Sequence, residues 1–589
     1  MAERSYNYVT SADDLGMVAQ AIADSKHMGL DIETTGLDAL TCKVRLLSIT
    51  TDAGTWVVDL FQTYGPGMRI KHALNNYRGI VIGNHIKFDV KFLMHHYGVE
   101  FQRVFDTFRA SAMLYNGHPT ITGHNLYDLQ ERYLGLQVDR EKDYGASDWS
   151  GTLSKVQLDY AAADTQHLIP LYRALVPLLQ EAGLVEACRI EFAAILPEAE
   201  IELNGFRLDA AMWRKRAQTD FIDSKVKEDA LLHKLPHPSG QMGLFGCTEF
   251  NLDSQQQVIK SFSRLGTELP DTDKTTMAQY ASQQPLIVEF MEYRKTQKKV
   301  TSFGVDYLDY IHPRTRRIHT SFWPLTGAGR YSSSNPNLQQ VPTEESFRAC
   351  FRPEEGHKLV LADYSQIELR IGAHITKDPI LTKVFTDNED AHQRTASILS
   401  GTPYGSVTKE QRKQAKPINF GLIYGMGPPK LVTYALTNYG VVFSLQDAQR
   451  FHGKYFKAYR QVKEWHRDVW DRGQREKLSR TLSGRLRYLD PETDFNEFKN
   501  TPIQGSGADG LKASLPIVRK KLRQADSSIR MVHMVHDEII AEVRSDPELC
   551  RLAEAAISTG MVEGMTQVMK SPSVPIVAEA STCDSWAEK

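Results

Sequence analysis

The sequence predicts a multidomain protein of mixed α/β and α+β class, and three observations carry that expectation. Its 589 residues exceed what one hydrophobic core organises, and at about 150 residues per domain the chain holds roughly four units. The first 170 residues alternate strand and helix signals, the pattern of an α/β domain. Far downstream, two apolar runs end in carboxylates: Leu359-Val-Leu-Ala-Asp363-Tyr-Ser-Gln-Ile-Glu368 and Met531-Val-His-Met-Val-His536-Asp537-Glu538.

Composition sets limits on function. Hydrophobic residues make up 41% of the chain, ample for several cores, and the formal net charge of −2 does not suit an indiscriminate DNA coat. Any nucleic-acid track must therefore be local. Arg294-Lys-Thr-Gln-Lys298-Lys299 and Arg314-Thr-Arg316-Arg317 are candidate basic patches, although such runs are more often solvated faces. Six widely spaced cysteines with no Cys-x2-Cys pair exclude a zinc site of that kind and a disulfide framework. The N-terminus lacks an apolar leader core and no stretch approaches the roughly eighteen apolar residues of a membrane span. The expectation is a soluble, intracellular protein with no membrane partner.

The first chemistry-bearing element is Gly29-Leu-Asp31-Ile-Glu33-Thr-Thr-Gly36. On a strand, Asp31 and Glu33 point one way while Ile32 points into the core, so the acids can grip a cation together. Asn84-His-Ile-Lys-Phe88-Asp89 supplies another acid, and Tyr160-Ala-Ala-Ala-Asp164 sets a phenol and an acid one helical turn apart. Each of these alone reads as an ordinary surface pair. A helical region near 170–195 follows, and turn formers in His233-Lys-Leu-Pro-His-Pro-Ser-Gly240 break any helix there.

If the two later apolar runs are neighbouring strands, Asp363 and Asp537 meet. Ionised carboxylates about 4 Å apart repel by roughly 4 kcal/mol at an effective dielectric near 20, so they imply a divalent cation or a trapped proton. Oxygen-only ligands favour Mg²⁺. Either segment alone reads equally as an Asp opening a turn. Between them, Arg412, Lys416, Phe420 and Tyr424 recur every fourth residue and share one helix face. Cations suit a polyphosphate and flat rings suit a base or sugar, while the plain alternative is an amphipathic helix with core aromatics. Pro417 removes an amide donor and crowds the Lys413 carbonyl, which predicts a kink near Lys413 unless the helix starts there.

In this order the three segments resemble motifs A, B and C of the family A DNA polymerases. Asp363-Tyr-Ser-Gln-Ile-Glu368-Leu-Arg, the Arg-x3-Lys-x3-Phe-Gly-x2-Tyr-Gly pattern ending at Gly425, and Val535-His536-Asp537-Glu538 carry the match. Smaller marks are Gly329-Arg330 before Asn335-Pro-Asn-Leu-Gln-Gln-Val-Pro342, Thr395-Ala396 after His392, Asn500-Thr-Pro-Ile-Gln504-Gly, and Glu202-Leu-Asn-Gly205-Phe-Arg-Leu-Asp209 at the entry to the polymerase body. Asp31/Glu33, Asp89 and Tyr160/Asp164 look like the motifs of the DEDDy 3′→5′ exonucleases.

The resemblance implies a ribonuclease H-like exonuclease domain in 1–185 and a right-hand polymerase in 186–589, with thumb about 206–318, palm about 319–371 and 491–589, and fingers about 372–490. It implies two Mg²⁺ per active site, with Mn²⁺ able to substitute, held by Asp363, Asp537 and the Tyr364 carbonyl at one centre and by Asp31, Glu33, Asp89 and Asp164 at the other. Tyr160 would orient the attacking water. Arg412 and Lys416 would hold the triphosphate, with Lys416 as proton donor to pyrophosphate. Phe420 and His392 would line the nucleotide site, Tyr424 would lie near the template, and Glu368 would exclude a 2′-hydroxyl. Arg330, Asn500, Gln504 and His536 would track the minor groove, and Glu538 would play a supporting part.

Ala328 and Tyr331 depart from the Thr and Leu of many relatives. The expected substrates are primer-template DNA and deoxynucleoside triphosphates, and the expected state is a monomer with a replisome or processivity partner. No 5′-nuclease domain is expected, and replication of a phage or plasmid type is preferred to repair. Rival readings are a processing exonuclease with a DNA-binding polymerase remnant and a single-subunit RNA polymerase, which the exonuclease motifs and Glu368 disfavour.

Overall fold

The computed structural model describes residues 6–63, 67–138, 140, 144–238, 250–281 and 283–588. Part of the 233–240 loop expected to break a helix therefore lies outside the described residues, and the helix before it ends at Lys234. Among the described residues no helix is long and apolar enough to cross a membrane.

Six strands make the first sheet: β1 (Asn7–Val9), β2 (His27–Thr34), β3 (Val44–Thr51), β4 (Gly54–Asp59), β5 (Ile80–Gly83) and β6 (Val104–Asp106). Their spatial order is β1-β4-β3-β2-β5-β6. The β2-β3 and β3-β4 pairs are antiparallel and the other three pairs are parallel, as the alternation of helix and strand signals leads one to expect. All eight residues of β3 are buried because helices cover both faces of the sheet, and its sequence shows no polar alternation for the same reason.

From the sheet the chain leaves through three helices, Leu168–Glu181, Val185–Ala193 and Ile195–Asn204. The last is shared between two units. It buries Ile195 and Ala199 in the core of the first sheet, while its Asn204 side chain donates to the Met531 carbonyl at 2.9 Å in the apolar run that begins at Met531. Glu191, in the preceding helix, accepts hydrogen bonds from Arg109 at 3.1 Å, Arg485 at 2.7 Å and Lys512 at 2.7 Å, all buried. This buried carboxylate ties three distant stretches of chain together, and its charge is tolerated because three cations surround it.

β7 (Phe206–Arg207) pairs with β8 (Arg317–Ile318), and between them the helices Ala210–Lys234 and Leu286–Phe303 enclose a separate core that includes Phe262, Phe290 and Tyr293. β9 (Ser321–Trp323) and β10 (Ser332–Ser334) form a hairpin next to the central sheet. That sheet has the order β14 (Arg530–Val535), β15 (Glu538–Arg544), β11 (His357–Tyr364), β16 (Ala578–Cys583), and every pair in it is antiparallel. Two long helices, Ser506–Ala525 and Pro547–Met569, lie behind it. They cross closely because glycines face them: a Cβ at Gly564 would sit 2.5 Å from the Ser514 backbone nitrogen. Between β11 and the hairpin of β12 (Leu478–Arg480) and β13 (Leu486–Tyr488), the chain is helical.

The structure adds detail to two expectations. Within the candidate basic runs, Arg294 donates to the Thr272 carbonyl, Lys299 pairs with Glu344, Arg314 donates to the Leu40 carbonyl, and Arg317 is buried against Glu542. These four cations are used by other elements that sequence proximity does not show, while Lys295, Lys298 and Arg316 remain exposed. The helix Lys409–Ile423, expected to belong to the fingers, continues through Pro417. A Thr408/Gln411 capping box anchors its start two turns upstream, and Lys413, whose carbonyl loses a partner, lies on the exposed side where water can replace the bond.

Candidate functional site

Two carboxylate centres emerge. In the first, β2 holds Asp31 and Glu33, and the helix Lys155–Gln166 delivers Asp164. The helix is started by a Ser154/Gln157 capping box and lies directly on β2, where a Cβ at Gly29 would stand 2.9 Å from the Thr165 carbonyl oxygen. That close approach needs glycine at 29. It sets oxygens of Asp31, Glu33 and Asp164 within 4.8 Å of one another. Asp89, in the first turn of the helix Lys87–Tyr97, is buried and accepts the Ile32 N–H at 2.9 Å, which places it beside the same strand. Tyr160 is half-buried one turn before Asp164, its ring 6.1 Å from Tyr144 and 6.3 Å from Trp149.

The electrostatics of this centre ask for a cation. Burial, then Asp89, Asp164 and Glu33, raise the Asp31 pKa well above its ordinary value. Burial raises Asp89 likewise, against two backbone hydrogen bonds that lower it. At 4.8 Å an ionised pair costs about 3 kcal/mol at an effective dielectric near 20, and Asp31, Glu33 and Asp164 form three pairs within that distance. An all-oxygen donor set crowded to this degree fits a hard divalent ion, which converts the repulsion into attraction.

The second centre is more open. Asp363 stands near the end of β11, opposite Glu538 in β15 and Glu579 in β16. β14 and β15 pair Val535 with Glu538, so His536-Asp537 is a two-residue hairpin turn, and His536 takes a left-handed φ of 54°. The Tyr364 N–H donates to the Asp537 carbonyl at 3.4 Å, which makes Asp363 and Asp537 neighbours. Both are half-exposed, whereas Glu538 is buried. Among the described residues no third acid, imidazole or thiol joins them at the spacing of the first centre. The Tyr364 ring is turned inward, its hydroxyl donating to the Met561 carbonyl at 2.6 Å, so only its backbone is available to a ligand at the strand end.

The fingers helix brings its four singled-out residues to different environments. Arg412 is paired with Asp390 at 2.6 Å, and Asp390 also caps the helix Ala391–Ser400. Lys416 is half-exposed and has no ion-pair partner among the described residues. Phe420 is half-buried with its ring 5.4 Å from that of His392. His392 itself is buried and hydrogen-bonded to Asn419 at 3.0 Å, and burial pushes its pKa down to about 4. It lies behind Phe420 as a neutral support. Tyr424 ends the helix, and its hydroxyl donates to Glu368.

Glu368 is gripped from two sides, because Arg330 also donates to it. With its amide oriented to accept, the Gln504 oxygen is 2.8 Å from Arg330 Nη1. Asn500 precedes a π-helical turn over Thr501–Gly505, a local widening often found at functional sites, and its Oδ1 is buried without a partner. His536 is exposed at its turn, and desolvation followed by Arg330 and Arg348 lowers its pKa. Sequence reasoning missed the Arg330–Glu368–Tyr424 bridge, the Asp390 partner of Arg412 and the Glu191 hub. Of these, Asp390 alone left a local signal, as an acid at a helix start.

A family model described as DNA polymerase family A matches residues 238–588, and one described as 3'-5' exonuclease matches residues 6–180. DNA polymerase I of Aquifex aeolicus is 30% identical over 99% of this chain and 100% of its own length. DNA polymerase I of Pseudomonas aeruginosa is 29% identical over 100% of this chain but 66% of its own length, and the thermostable DNA polymerase I of Thermus aquaticus is 32% identical over 66% of this chain and 46% of its own. The chain thus spans the whole of one relative and two thirds or less of the others. The solved structure titled POL domain of Pol1 from M. smegmatis, in complex with DNA primer-template and dNTP, superposes with a TM-score of 0.81, at 24% identity and covering 99% of both chains. This shows a shared fold.

Proposed function

Since the chain belongs to DNA polymerase family A and is a DNA-directed DNA polymerase with a 3′→5′ exonuclease domain, we propose that it copies a template by extending a primer 3′-hydroxyl at Asp363/Asp537 and proofreads at Asp31/Glu33/Asp89/Asp164. One observation carries this reading above the rest: two separate carboxylate centres, the second next to Arg330 and Glu368, which the fingers helix reaches through Tyr424. We place the exonuclease unit in 1–185 and the polymerase in 186–589, with the 195–204 helix shared between them.

Mg²⁺ held by these acids and the Tyr364 carbonyl would activate the attacking oxygen and neutralise charge on the leaving phosphate. The remaining work is positioning by the chain's own groups. Lys416, a cation with no ion-pair partner among the described residues, meets the triphosphate and gives a proton to pyrophosphate. Arg412 is pre-oriented by Asp390 and adds a second positive charge. Phe420, braced by His392, lies against the incoming sugar, and Glu368 is fixed by Arg330 and Tyr424 where a ribose 2′-hydroxyl would collide with it. Arg330, Asn500, Gln504 and His536 present donors to minor-groove acceptors that all base pairs share, which suits an enzyme indifferent to sequence. At the other centre Tyr160 orients the water that cleaves the terminal phosphodiester.

Primer-template DNA and deoxynucleoside triphosphates are the proposed partners, the protein acts as a monomer, and replication rather than gap repair is the preferred role. Primer extension with all four deoxynucleotides, beside degradation of the same labelled primer without them, tests the reading. Synthesis and degradation should both occur, and absence of templated extension would overturn it.

A further inference from the structure

Glu202, in the shared helix, is a carboxylate that neither centre uses. It is buried, yet both oxygens are engaged: Oε1 accepts from Lys87 Nζ at 2.7 Å and from the Phe322 N–H at 2.8 Å, and Oε2 accepts from Lys91 Nζ at 3.1 Å. Lys87 also donates to the Phe322 carbonyl. Burial works to raise the Glu202 pKa, but Lys87 and Lys91 outweigh it and hold the group ionised below the ordinary carboxylate value.

The partners of this one side chain belong to the two halves of the molecule. Lys87 and Asp89 share the first turn of the same helix, and Asp89 is bonded to the backbone between Asp31 and Glu33. On the other side, Phe322 pairs with Ser333 in the β9-β10 hairpin, whose connecting segment carries Arg330, the partner of Glu368. Next to Phe322, the Trp323 ring stands 5.5 Å from Phe108 and 6.3 Å from His85 of the first domain. Lys87, Glu202, Phe322 and Trp323 line a cavity of about 210 Å³ between the halves. One path from Asp89 to Arg330 passes through the Glu202 carboxylate, beside a second link through Arg109, Glu198 and Tyr331.

We propose that Glu202 is a positioning residue that holds the exonuclease centre in register with the polymerase body, so that a 3′ end released from one arrives at the other. The inference rests on the two-centre reading above. It requires Glu202 to act on transfer of the primer end and not on hydrolysis or synthesis. The ionic bonds supply the restraint: Glu202→Gln keeps an acceptor for the Phe322 N–H but loses the charge that fixes both lysines. Lys87 and Lys91 side chains are 17% and 22% exposed, so they can turn toward water when the charge is removed.

The test uses the full chain and compares three rates: excision of a mismatched end from primer-template duplex, degradation of a single-stranded oligonucleotide, and extension of a matched primer. Glu202→Gln should lower mismatch excision about tenfold while the other two rates stay within about twofold, the size of effect expected when reacting groups are misplaced but intact. Lys91→Met should give a smaller fall of about threefold, and little more in the Glu202→Gln background, because both changes break one interaction. Equal slowing on duplex and single strand, which a merely structural role gives, overturns the proposal, and so does no slowing on either. If Glu202→Gln does not fold, Lys91→Met decides, and an unchanged duplex to single-strand ratio rejects the idea. Failure of the unmodified chain to degrade single strands would reject the exonuclease reading instead.

Discussion

Asp31, Glu33 and Asp164 crowd their oxygens within 4.8 Å beside a buried Asp89, whereas Asp363 and Asp537 occupy half-exposed positions at adjoining strand ends with no third acid at that spacing among the described residues. The first centre stores electrostatic repulsion in a preformed cage. The second is open, with Glu538 and Glu579 opposite Asp363 in the sheet. In the proposed reading the difference follows from what each must accept. A hydrolytic centre that treats every 3′ end alike gains from fixed geometry, while a synthetic centre must admit a new triphosphate each cycle, and that substrate brings charge of its own. Selectivity at the second centre therefore rests with side chains around the substrate, among them Phe420 and Glu368, and less with the acids.

Breaking the two centres separately gives the largest expected effect. Asp537→Ala should reduce primer extension by about a thousandfold or more and leave single-strand degradation within about twofold, and Asp31→Ala with Glu33→Ala should do the reverse, because each variant removes ligands from one centre only. Folded variants that lose both activities together would undo the separation of the centres.

A smaller effect sharpens the role of the open centre. Phe420 lacks a hydroxyl that could replace the polar interaction of a missing 3′-hydroxyl on the incoming sugar. The unmodified enzyme should reject dideoxynucleotides, and Phe420→Tyr should relax that preference by about one to two powers of ten, the equivalent of about 1.5 to 3 kcal/mol from a hydrogen bond to a charged group. Competition between dideoxy and deoxy substrates in the Asp31→Ala, Glu33→Ala background measures it, and equal selectivity would remove Phe420 from the nucleotide site.

Glu368→Ala should raise ribonucleotide relative to deoxyribonucleotide incorporation by about tenfold, since it deletes a group of the size that steric discrimination can sense. Overall synthesis should also slow, because Arg330 and Tyr424 lose their common partner. An unchanged ratio with slower synthesis would leave Glu368 as a bridge alone.

The smallest effect is on stability and belongs to the crowded centre. Asp31 and Asp89 have folded pKa values raised above those of the unfolded chain, so the folded form binds the extra protons. The stability they contribute is complete below about pH 3.9 and is lost as pH rises through the raised values. In EDTA, the melting temperature should fall across that window, Asp31→Asn should flatten the fall, and Mg²⁺ should restore stability at neutral pH. Asp363→Asn should change none of this. A tenfold change in proton affinity is worth about 1.4 kcal/mol, enough for calorimetry to resolve. A flat profile in the unmodified protein would mean that the cage is not repulsive.

Much of this was legible in the chain. Asp31-x-Glu33 on a strand, Tyr160-x3-Asp164 on a helix and the fourfold spacing from Arg412 to Tyr424 are short-range patterns, and local periodicity decides which side chains share a face. The alternation in the first 170 residues announced the first sheet, and the apolar runs ending at Asp363 and Asp537 announced β11 and β14. What local pattern could not show was which partners these groups would meet. Arg294, Lys299, Arg314 and Arg317 stand in basic runs whose hydrogen-bond and ion-pair partners lie elsewhere in the sequence, and Pro417 sits in a helix whose capping box lies two turns upstream.

By itself, then, the sequence determined the elements, the acids at their ends and the family, since backbone geometry and side-chain chemistry act over a few residues. Only the tertiary structure decided which charges are already spoken for. Arg412 is held by Asp390, Glu368 by Arg330 and Tyr424, Glu191 by three cations, and Glu202 by lysines of one half and a backbone amide of the other. Such pairings depend on distances of a few ångströms between groups up to hundreds of residues apart, and a buried charge is stable only where packing brings its partner to it.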